Sequence, residues 1–293
     1  MSNELIRTAI RRLIPRGVRN AVRRPRATKE RITAKLSHML GHTAFAELAP
    51  GCTVKCHPMC VGEFRVFTTQ AEQISEMAAF AAAATPGMKM MDIGAHWGAL
   101  TLAALHFGGP QAKVLAIEAS EQAAATYRVN IGLNGVQARV TLVNAACGDR
   151  SGRIPMLATG AGASDYFVIP AEKRPDTILV RQVTADDMRQ EHNFQPTHVK
   201  IDVEGYEEEV LQGTTAILRE LRPVLFLELH GDLIRKRKKE PSAVLDLLEA
   251  AGYHQWQSVE GVAVGREALA ARQWNVRLVA THRPLGARSG SAG

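Results

Sequence analysis

The clearest hydrophobic pattern in the chain is an apolar run that ends in a glycine turn and continues as helically spaced apolar residues. Residues 88–91 are almost wholly apolar, residues 92–98 read DIGAHWG, and apolar side chains recur from Leu100 to Leu105. A short apolar run, a glycine turn and a helical period predict a strand, a tight turn and a helix. This unit opens a doubly wound α/β sheet, whose ligands bind at the carboxyl ends of the strands.

Further apolar runs of strand length alternate with helical segments along the rest of the chain. The predicted strands are 113–117, 140–143, 197–201, 223–227, 253–259 and 273–280, and the predicted intervening helices are 120–131, 206–221 and 242–251. Strands alternating with helices predict a mostly parallel sheet covered by helices. Between the third and fourth strands, residues 151–183 predict an insertion of short strands, 153–157 and 177–183, around a Gly/Ala loop at 159–164.

The segment before the glycine turn has a weaker pattern. Residues 63–67 alternate and predict a strand, and residues 71–84 predict an alanine-rich helix. Cys52, Cys56, His57 and Cys60 place four soft donor groups within nine residues. This spacing allows a small metal site, but buried or inert thiols of a cytosolic protein are the interpretation that we favour.

The positive charge of the chain is concentrated at its start. Residues 1–35 contain eleven Lys and Arg residues against two Glu residues, a charge of +9, so residues 36–293 carry −2 of the total +7. Apolar residues recur at helical spacing between these arginines, which suits an anionic membrane surface, a plain structural arm or a mitochondrial presequence. We predict a basic arm over residues 1–50, a catalytic domain over 51–282 and a disordered tail over 283–293.

Two features bear on location in the cell. No apolar run approaches the roughly 20 residues of a membrane span, and the N-terminus lacks the apolar core of a secretory signal. We therefore expect a cytoplasmic protein, with residues 1–35 as the candidate for peripheral contact with a membrane.

The glycine spacing in the first turn discriminates between nucleotide ligands. A dinucleotide site would have G-x-G-x-x-G, whereas Gly94 and Gly98 enclose three residues and Asp92 precedes them. A carboxylate at this place suits a ligand with a positive end, such as S-adenosylmethionine (SAM). Glu118, 24 residues beyond Gly94, ends the second predicted strand, where an acid binds ribose hydroxyls. The alternative is an α/β domain whose glycine turn binds nothing.

Taken in order, these segments resemble the FkbM-type SAM-dependent methyltransferases over roughly residues 70–250. The matching stretches are MDIGAHWGALTL (91–102), AIEAS (116–120), NAACGD (144–149), VTADDM (183–188), VKIDVEGYEEEVLQG (199–213) and RPVLFLELH (222–230). The resemblance implies the Rossmann-like, seven-stranded class I methyltransferase sheet with an antiparallel last strand. It also implies methyl transfer from SAM to a hydroxyl of a sugar, glycolipid or polyketide-like molecule. The residues expected to bind the cofactor are Asp92, Gly94, Ala95, His96, Gly98, Glu118, Ala119, Asn144, Ala145 and Ala146.

The expected catalytic residues follow the fourth and fifth strands: Asp202, Glu204, Glu228 and His230. A hydroxyl is a poor nucleophile, so a general base is expected. His230 is the first choice because imidazole titrates near neutral pH. Asp202 is the second choice; alternatively, it contacts SAM or holds a divalent cation with Glu228. Nothing in the spacing requires a metal, and no metal ligands are assigned.

Three charged stretches near these residues are expected to be structural. The acids at 207–209 suit the first turn of a helix, where they oppose its dipole, and Asp186 and Asp187 suit a helix cap. The basic run 235–239 predicts a solvated loop, with binding of an anionic acceptor as its alternative.

Two other functional classes stay open at this point. In a nucleic-acid methyltransferase the arginine-rich arm would contact phosphates. The charge of −2 outside the arm argues against this, as does the absence of an Asn/Asp-Pro-Pro-aromatic element after the fourth strand. A nucleotide-binding α/β protein that transfers no methyl group is the other alternative.

Overall fold

A computed structural model describes residues 43–158, 166–168, 177–271 and 275–282 of the chain. The Gly/Ala loop at 159–164, the predicted tail at 283–293 and all of the predicted basic arm up to residue 42 lie outside these ranges. Contact of residues 1–35 with an anionic surface therefore stays a prediction. Within the described residues, no helix is both long and apolar enough to cross a membrane.

A seven-stranded sheet forms the centre of the fold. In spatial order its strands are Gln255–Ser258 (β12), Val276–Thr281 (β13), Val224–Leu229 (β11), His198–Ile201 (β10), Lys89–Ile93 (β3), Lys113–Glu118 (β4) and Val140–Asn144 (β5). The strands from β11 to β5 pair in parallel, and β13 is antiparallel to both β11 and β12. The predicted sheet, mostly parallel with an antiparallel last strand, is confirmed.

The chain reverses its direction of winding at β3. This strand pairs with β4 on one side and with β10 on the other. Both neighbours are almost fully buried, as expected for parallel strands that are covered on both faces. A crevice forms where strand order reverses, beyond the carboxyl ends of the strands. The register pairs Lys200 with Asp92, which brings these two charged residues to the same edge.

The predicted insertion of short strands is a second, four-stranded sheet. Its order is Ala146–Cys147 (β6), Thr177–Val183 (β9), Gly152–Ala158 (β7) and Tyr166–Val168 (β8). β6 follows β5 almost directly, so the small sheet extends from the carboxyl edge of the large one and places Met156 near the crevice.

Helices cover both faces of the large sheet. In the described residues they are Val61–Phe64 (α1), Val66–Thr69 (α2), Ala71–Ala83 (α3), Ala99–Phe107 (α4), Glu121–Leu133 (α5), Ala185–Glu191 (α6), Glu207–Gln212 (α7), Gly231–Lys236 (α8), Pro241–Ala250 (α9) and Arg266–Ala271 (α10). Short 3₁₀ turns occur at Pro58–Cys60 and Gln137–Arg139, and Ile217–Leu221 is π-helical. Ser120 Oγ accepts the Ala123 N–H at 3.1 Å and caps α5, as predicted.

Two predicted elements differ from the structure. Residues 63–67 are helical, not a strand, and the three-residue spacing lets the buried Phe64 and the partly buried Phe67 pack against the same core cluster. The helix predicted over 206–221 is interrupted: α7 ends at Gln212, and helical turns resume at residue 215 and continue through the π-helical Ile217–Leu221. Gly213 lies so close to Gly148 that an added Cβ would be 2.0 Å from the Gly148 carbonyl oxygen.

The domain begins earlier than the predicted boundary at residue 51. Ala44–Ala49 (β1) and Cys52–Cys56 (β2) form an antiparallel hairpin whose inward side chains are buried in the core. The Asn130 side chain on α5 accepts the His57 N–H at 2.7 Å and donates to the Trp97 carbonyl at 2.9 Å. One buried amide thus connects the hairpin with the glycine turn.

The clustered cysteines are buried thiols. Burial raises the pKa of Cys52 and Cys56 to about 11 and that of Cys60 to about 12. Among the described residues, the His, Cys, Asp and Glu side chains that converge closely enough for a metal ion are Asp202, Glu228 and His230, not these cysteines. The structure therefore favours inert thiols over a metal site at this place.

Gly94 lies close to the backbone that follows β10, and this approach can be tested by substitution. Gly94 has φ +82, and a Cβ there would lie 1.8 Å from the Asp202 carbonyl oxygen. Gly109 has a similar φ of +74, with no atom within 4 Å of an added Cβ. Both Ala variants bear a backbone cost of about 1–2 kcal/mol.

We expect Gly94→Ala to lose several kcal/mol more than Gly109→Ala in the free energy of unfolding, measured by urea denaturation, because only Gly94→Ala forces two strand ends apart. Equal losses in the two variants would contradict this account of the strand junction.

Candidate active site

An open cleft lies where the chain reverses direction, above the carboxyl ends of β3, β4 and β10. Of the residues predicted to bind a cofactor, six line it: Gly94, His96, Glu118, Ala119, Ala145 and Ala146. Two predicted catalytic residues, Asp202 and Glu204, line it as well. The sequence pattern did not indicate the other contributors to its wall, among them Cys147, Met156, Val203 and Tyr206.

Glu118 joins the ends of two strands through its carboxylate. Oε2 accepts the His96 N–H at 2.8 Å, and Oε1 accepts the Ser120 N–H at 2.7 Å. The side chain is buried, so it cannot swing out into solvent. Burial raises the pKa of Glu118 to about 7, although the two N–H groups favour the charged form. Each oxygen keeps a second lone pair with which a hydroxyl can bond.

The four other residues of the predicted cofactor set have structural contacts instead. Asp92 accepts a hydrogen bond of 2.6 Å from Thr101 Oγ1 and, together with Ala95, lines a neighbouring cavity. Gly98, with φ +87, begins α4 and packs against the Tyr127 ring. The Asn144 side chain donates to the Glu118 carbonyl at 2.7 Å.

The neighbouring cavity lies on the other side of the glycine turn. Gly94, His96 and Asp202 line both spaces, so the cleft and this cavity share one wall. The cavity is bounded by aromatic side chains and by charged groups: Phe64, Phe67, Trp97, Glu63, Glu76, Asp92, Lys200 and Arg277. The helices α1 to α3, rather than the predicted strand at 63–67, therefore supply its outer wall.

Three carboxylates surround His230 at the ends of β10 and β11. Its Nε2 lies 3.8 Å from Asp202 Oδ1, 3.6 Å from Glu204 Oε2 and 3.5 Å from Glu228 Oε1. The imidazole is 1% exposed and Glu228 is 5% exposed, and neither lines the cleft. The structure therefore brings all four predicted catalytic residues together, but it places only Asp202 and Glu204 at the open surface.

The other ring nitrogen of His230, Nδ1, contacts Glu207. From its place in the sequence, Glu207 is expected only to oppose the dipole of its helix. Glu207 is fully buried, and its Oε1 lies 2.7 Å from His230 Nδ1 and accepts the Gly205 N–H at 3.0 Å. The contact with His230 could not be predicted from the position of Glu207 in the first turn of α7, because acids at such positions usually face solvent. Burial could not be inferred from the three successive glutamates.

One buried cation, Lys200, and one half-buried cation, Arg277, lie among the carboxylates, and neither was predicted as a site residue from the sequence. Lys200 Nζ donates to Asp202 Oδ2 at 3.0 Å. Arg277, on β13, contacts Glu76 Oε2 at 3.1 Å and Glu228 Oε2 at 2.9 Å. Arg277 thereby connects α3 with the end of β11.

These charges set the protonation states around the cleft. Lys200 and His230 hold the pKa of Asp202 below its ordinary value, against the effect of burial. Burial and the Asp202 charge raise the pKa of Glu228. Burial disfavours charge on His230, but Glu207 and the other carboxylates outweigh it and raise the pKa of the imidazole to about 9. Burial lowers the pKa of His96 to about 4.

Side chains of the basic run at 235–239 contact residues that line or adjoin the cleft. Arg237 donates to the Gly205 carbonyl, pairs with Glu209 and lies 4.5 Å over the Tyr206 ring. Lys239 pairs with Glu208 and Glu209 at about 3 Å. The predicted solvated loop is thus largely engaged within the protein, and Glu208 and Glu209 are its partners.

Thr184 and Asp186 each accept hydrogen bonds from the N–H groups of a different helical segment near the cleft. Thr184 Oγ1 accepts the Asp187 N–H at 2.9 Å and caps α6. Asp186 accepts the N–H groups of Ala216 and Ile217, each at 2.9 Å. The acids at 186 and 187 are therefore structural, as expected.

Comparison with known proteins gives a family match. The model of the methyltransferase FkbM domain matches residues 92–254, more than half of the chain. No curated protein sequence matches the chain.

Solved structures of methyltransferases resemble it at low identity. The FkbM methyltransferase from Methylobacillus flagellatus KT is 16% identical with a TM-score of 0.44, over 76% of this chain and 54% of that protein. This chain therefore spans about half the length of that relative. The O-methyltransferase from Bacillus cereus, in complex with S-adenosylhomocysteine (SAH), is 15% identical with a TM-score of 0.41, over 73% and 80% of the two chains. Aeropyrum pernix fibrillarin with bound SAM is 11% identical with a TM-score of 0.42, over 70% and 76%.

The raised pKa of Glu118 predicts a specific pH dependence of stability. In the unfolded chain a Glu ionises near pH 4.5, whereas Glu118 ionises near pH 7 in the folded protein. Between these pH values the folded state therefore binds more protons than the unfolded state. The stability that the protonated Glu118 carboxyl contributes is lost as the pH rises from 4.5 to 7.

Glu118→Gln removes this titration. The unfolding free energy of the variant, relative to wild type, should increase by up to about 3 kcal/mol between pH 4 and 8. Glu121→Gln, at an exposed position three residues away, controls for loss of a carboxyl group. A difference between Glu118→Gln and wild type that stays constant over this range would contradict the predicted shift.

Proposed function

Because this chain belongs to the FkbM methyltransferase family, we propose that it transfers a methyl group from SAM to a hydroxyl of a sugar, glycolipid or polyketide-like small molecule. The observation that carries the proposal is the wall shared by the cleft and the neighbouring cavity. This wall combines the glycine turn, which suits a nucleoside donor, with the Asp202 carboxylate, which suits a hydroxyl acceptor, and Glu204 adds a second carboxylate on the cleft side.

The residues that line the cleft fit an adenosyl group. Glu118 is fixed at the end of the second sheet strand by two backbone N–H groups, where it can accept hydrogen bonds from ribose hydroxyls. Ala145 and Ala146 leave room for a flat base, and Met156 adds a polarisable surface to the same wall. Gly94, without a side chain, allows a ligand to approach the turn closely.

The charge of the site suits the positive end of SAM. Bound SAM supplies a methyl group activated by the sulfonium. Asp202, kept ionised by Lys200, lines the cleft and the cavity and offers a carboxylate to the cationic part of the donor. Holding donor and acceptor in line can contribute up to about 7–11 kcal/mol to lowering the barrier.

Glu204 is the residue that we propose to accept the hydroxyl proton. His230, the first choice from the sequence, is buried behind Asp202 and Glu204 and does not reach the cleft. Glu204 lines the cleft, and its Oε2 lies 3.6 Å from His230 Nε2. Its φ of 52° is positive, which directs the backbone away from a regular helix start. His230 and Glu207 then support this carboxylate from behind.

The neighbouring cavity is the proposed site for the body of the acceptor, whose hydroxyl would reach Glu204 past Asp202, since Asp202 lines both spaces and Glu204 lines the cleft. The cavity's Phe64, Phe67 and Trp97 rings offer apolar faces, and the charged groups between them offer partners for hydroxyls. This combination suits a hydroxylated small molecule better than a polynucleotide, which would need an excess of cations. No observation on the described residues favours a nucleic-acid acceptor.

Calorimetric titration tests the donor site. Wild-type protein should bind SAM and SAH in the micromolar range and should not bind NADH. Glu118→Ala should abolish binding, because it removes both the ribose partner and the contact that holds His96. Glu121→Ala, an exposed change three residues away, should bind as wild type does. Binding of NADH in place of SAM and SAH would overturn the proposal.

Substitution of Glu204 tests the proton acceptor. With methyl-labelled SAM and a pool of sugar, glycolipid and polyol acceptors, Glu204→Gln should lower the transfer rate by about 10²–10⁴-fold while SAH affinity stays within a few-fold of wild type. A wild-type rate in Glu204→Gln would remove Glu204 from the mechanism and leave the donor site intact.

A further inference from the structure

The carboxylates behind the cleft outnumber the cations that could neutralise them. Six buried or half-buried acids lie together: Glu76, Asp92, Asp202, Glu204, Glu207 and Glu228. Lys200 and Arg277 are the permanent cations that pair with them. Burying charge without compensation costs several kcal/mol for each ion. A cation bound among these acids would offset part of that cost.

Within this cluster, three donor atoms converge on one point. Asp202, Glu228 and His230 each offer a ligand atom, and these atoms lie within 4.8 Å of one another. His230 Nε2 is 3.8 Å from Asp202 Oδ1 and 3.5 Å from Glu228 Oε1, too far for hydrogen bonds. Metal bonds of about 2.0–2.2 Å to nitrogen and oxygen place ligand atoms roughly 3–4 Å apart. The observed spacing fits an ion between them.

The second oxygens of the two carboxylates are already anchored. Lys200 binds Asp202 Oδ2, and Arg277 binds Glu228 Oε2. These pairs orient Oδ1 and Oε1 toward the imidazole. Glu228 Oε1 also accepts hydrogen bonds from Asn275 at 3.2 Å and from Arg277 at 3.0 Å, so an ion bound at Oε1 would displace one of these two donors.

His230 has the surroundings of a metal ligand. It is 1% exposed, its Nε2 points at the two carboxylate oxygens, and its Nδ1 is held by Glu207 at 2.7 Å. A metal-ligating histidine almost always binds a carboxylate, carbonyl or water through its other nitrogen, which fixes the ring orientation. Glu207 thus fixes the ring with its Nε2 toward Asp202 and Glu228.

We infer that Asp202, Glu228 and His230 bind one divalent transition-metal cation. One imidazole with two carboxylates favours Mn²⁺, Fe²⁺ or Zn²⁺ over Mg²⁺, which prefers oxygen ligands alone. Three protein ligands leave open coordination positions, as in catalytic rather than structural sites. Asp202 also lines the cleft and the cavity, so the cation lies beside the place where an acceptor hydroxyl would bind and can lower its pKa.

The test uses full-length protein freed of metal with EDTA and titrated with Mn²⁺, with free Mn²⁺ measured by electron paramagnetic resonance. Wild type should bind one Mn²⁺ per chain in the micromolar range. Asp202→Asn and His230→Gln should weaken binding by about 10–100-fold or more, and Glu207→Gln by a similar factor through loss of ring orientation. Glu63→Gln, which removes a carboxylate from the cavity wall outside the ligand set, should bind Mn²⁺ as wild type does.

Two results would overturn the inference: no binding by wild type below roughly 1 mM Mn²⁺, or binding that Asp202→Asn and His230→Gln leave unchanged. Thermal unfolding of each metal-free variant verifies that it folds. The first result depends on the wild-type titration alone, so misfolding of a variant cannot affect it. SAH titrations of the same samples separate the two proposals. SAH binding without Mn²⁺ binding rejects the metal site and keeps the donor site, and loss of both rejects the proposed function too.

Discussion

Two cations, the buried Lys200 and the half-buried Arg277, allow this sheet to end in a concentration of carboxylates. Arg277 contacts acids on α3 and β11, and Lys200 pairs with Asp202 at the end of β10. Without these partners, burial would force the acids to bind protons or turn outward. Arg277 reaches the site only because β13 runs antiparallel between β11 and β12. The antiparallel last strand therefore contributes to the chemistry of the cleft as well as to the sheet.

The parts of the site predicted from sequence are those that follow strand ends. Gly94, Glu118 and Asp202 come directly after apolar runs, and parallel strands bring such positions to one edge. Residues that act from elsewhere could not be found in this way. Glu207 looks like an ordinary acid in a first helical turn, and Arg277 lies 75 residues beyond Asp202. Their roles depend on tertiary burial and on strand order, which no local pattern encodes.

The same limit explains the errors outside the site. The alternation at 63–67 matched a strand, but these residues are helical, and Phe64 and Phe67 pack against one core cluster. The basic run at 235–239 had the composition of a solvated loop, yet Arg237 and Lys239 find acids on α7. Inside the site, the burial of His230 between Glu207 and three other carboxylates could not be predicted from the sequence either. In each case a neighbour distant in sequence determined the outcome.

A crystal structure of the protein with SAH and Mn²⁺ would test the central claim most directly. The account predicts adenine against Ala145 and Ala146, ribose hydroxyls on Glu118, and the sulfur facing the wall of Asp202 and Glu204. It also predicts anomalous scattering from manganese between Asp202, Glu228 and His230. SAH bound away from this cleft would contradict the methyl-transfer account, and manganese at any other position would contradict the metal site alone.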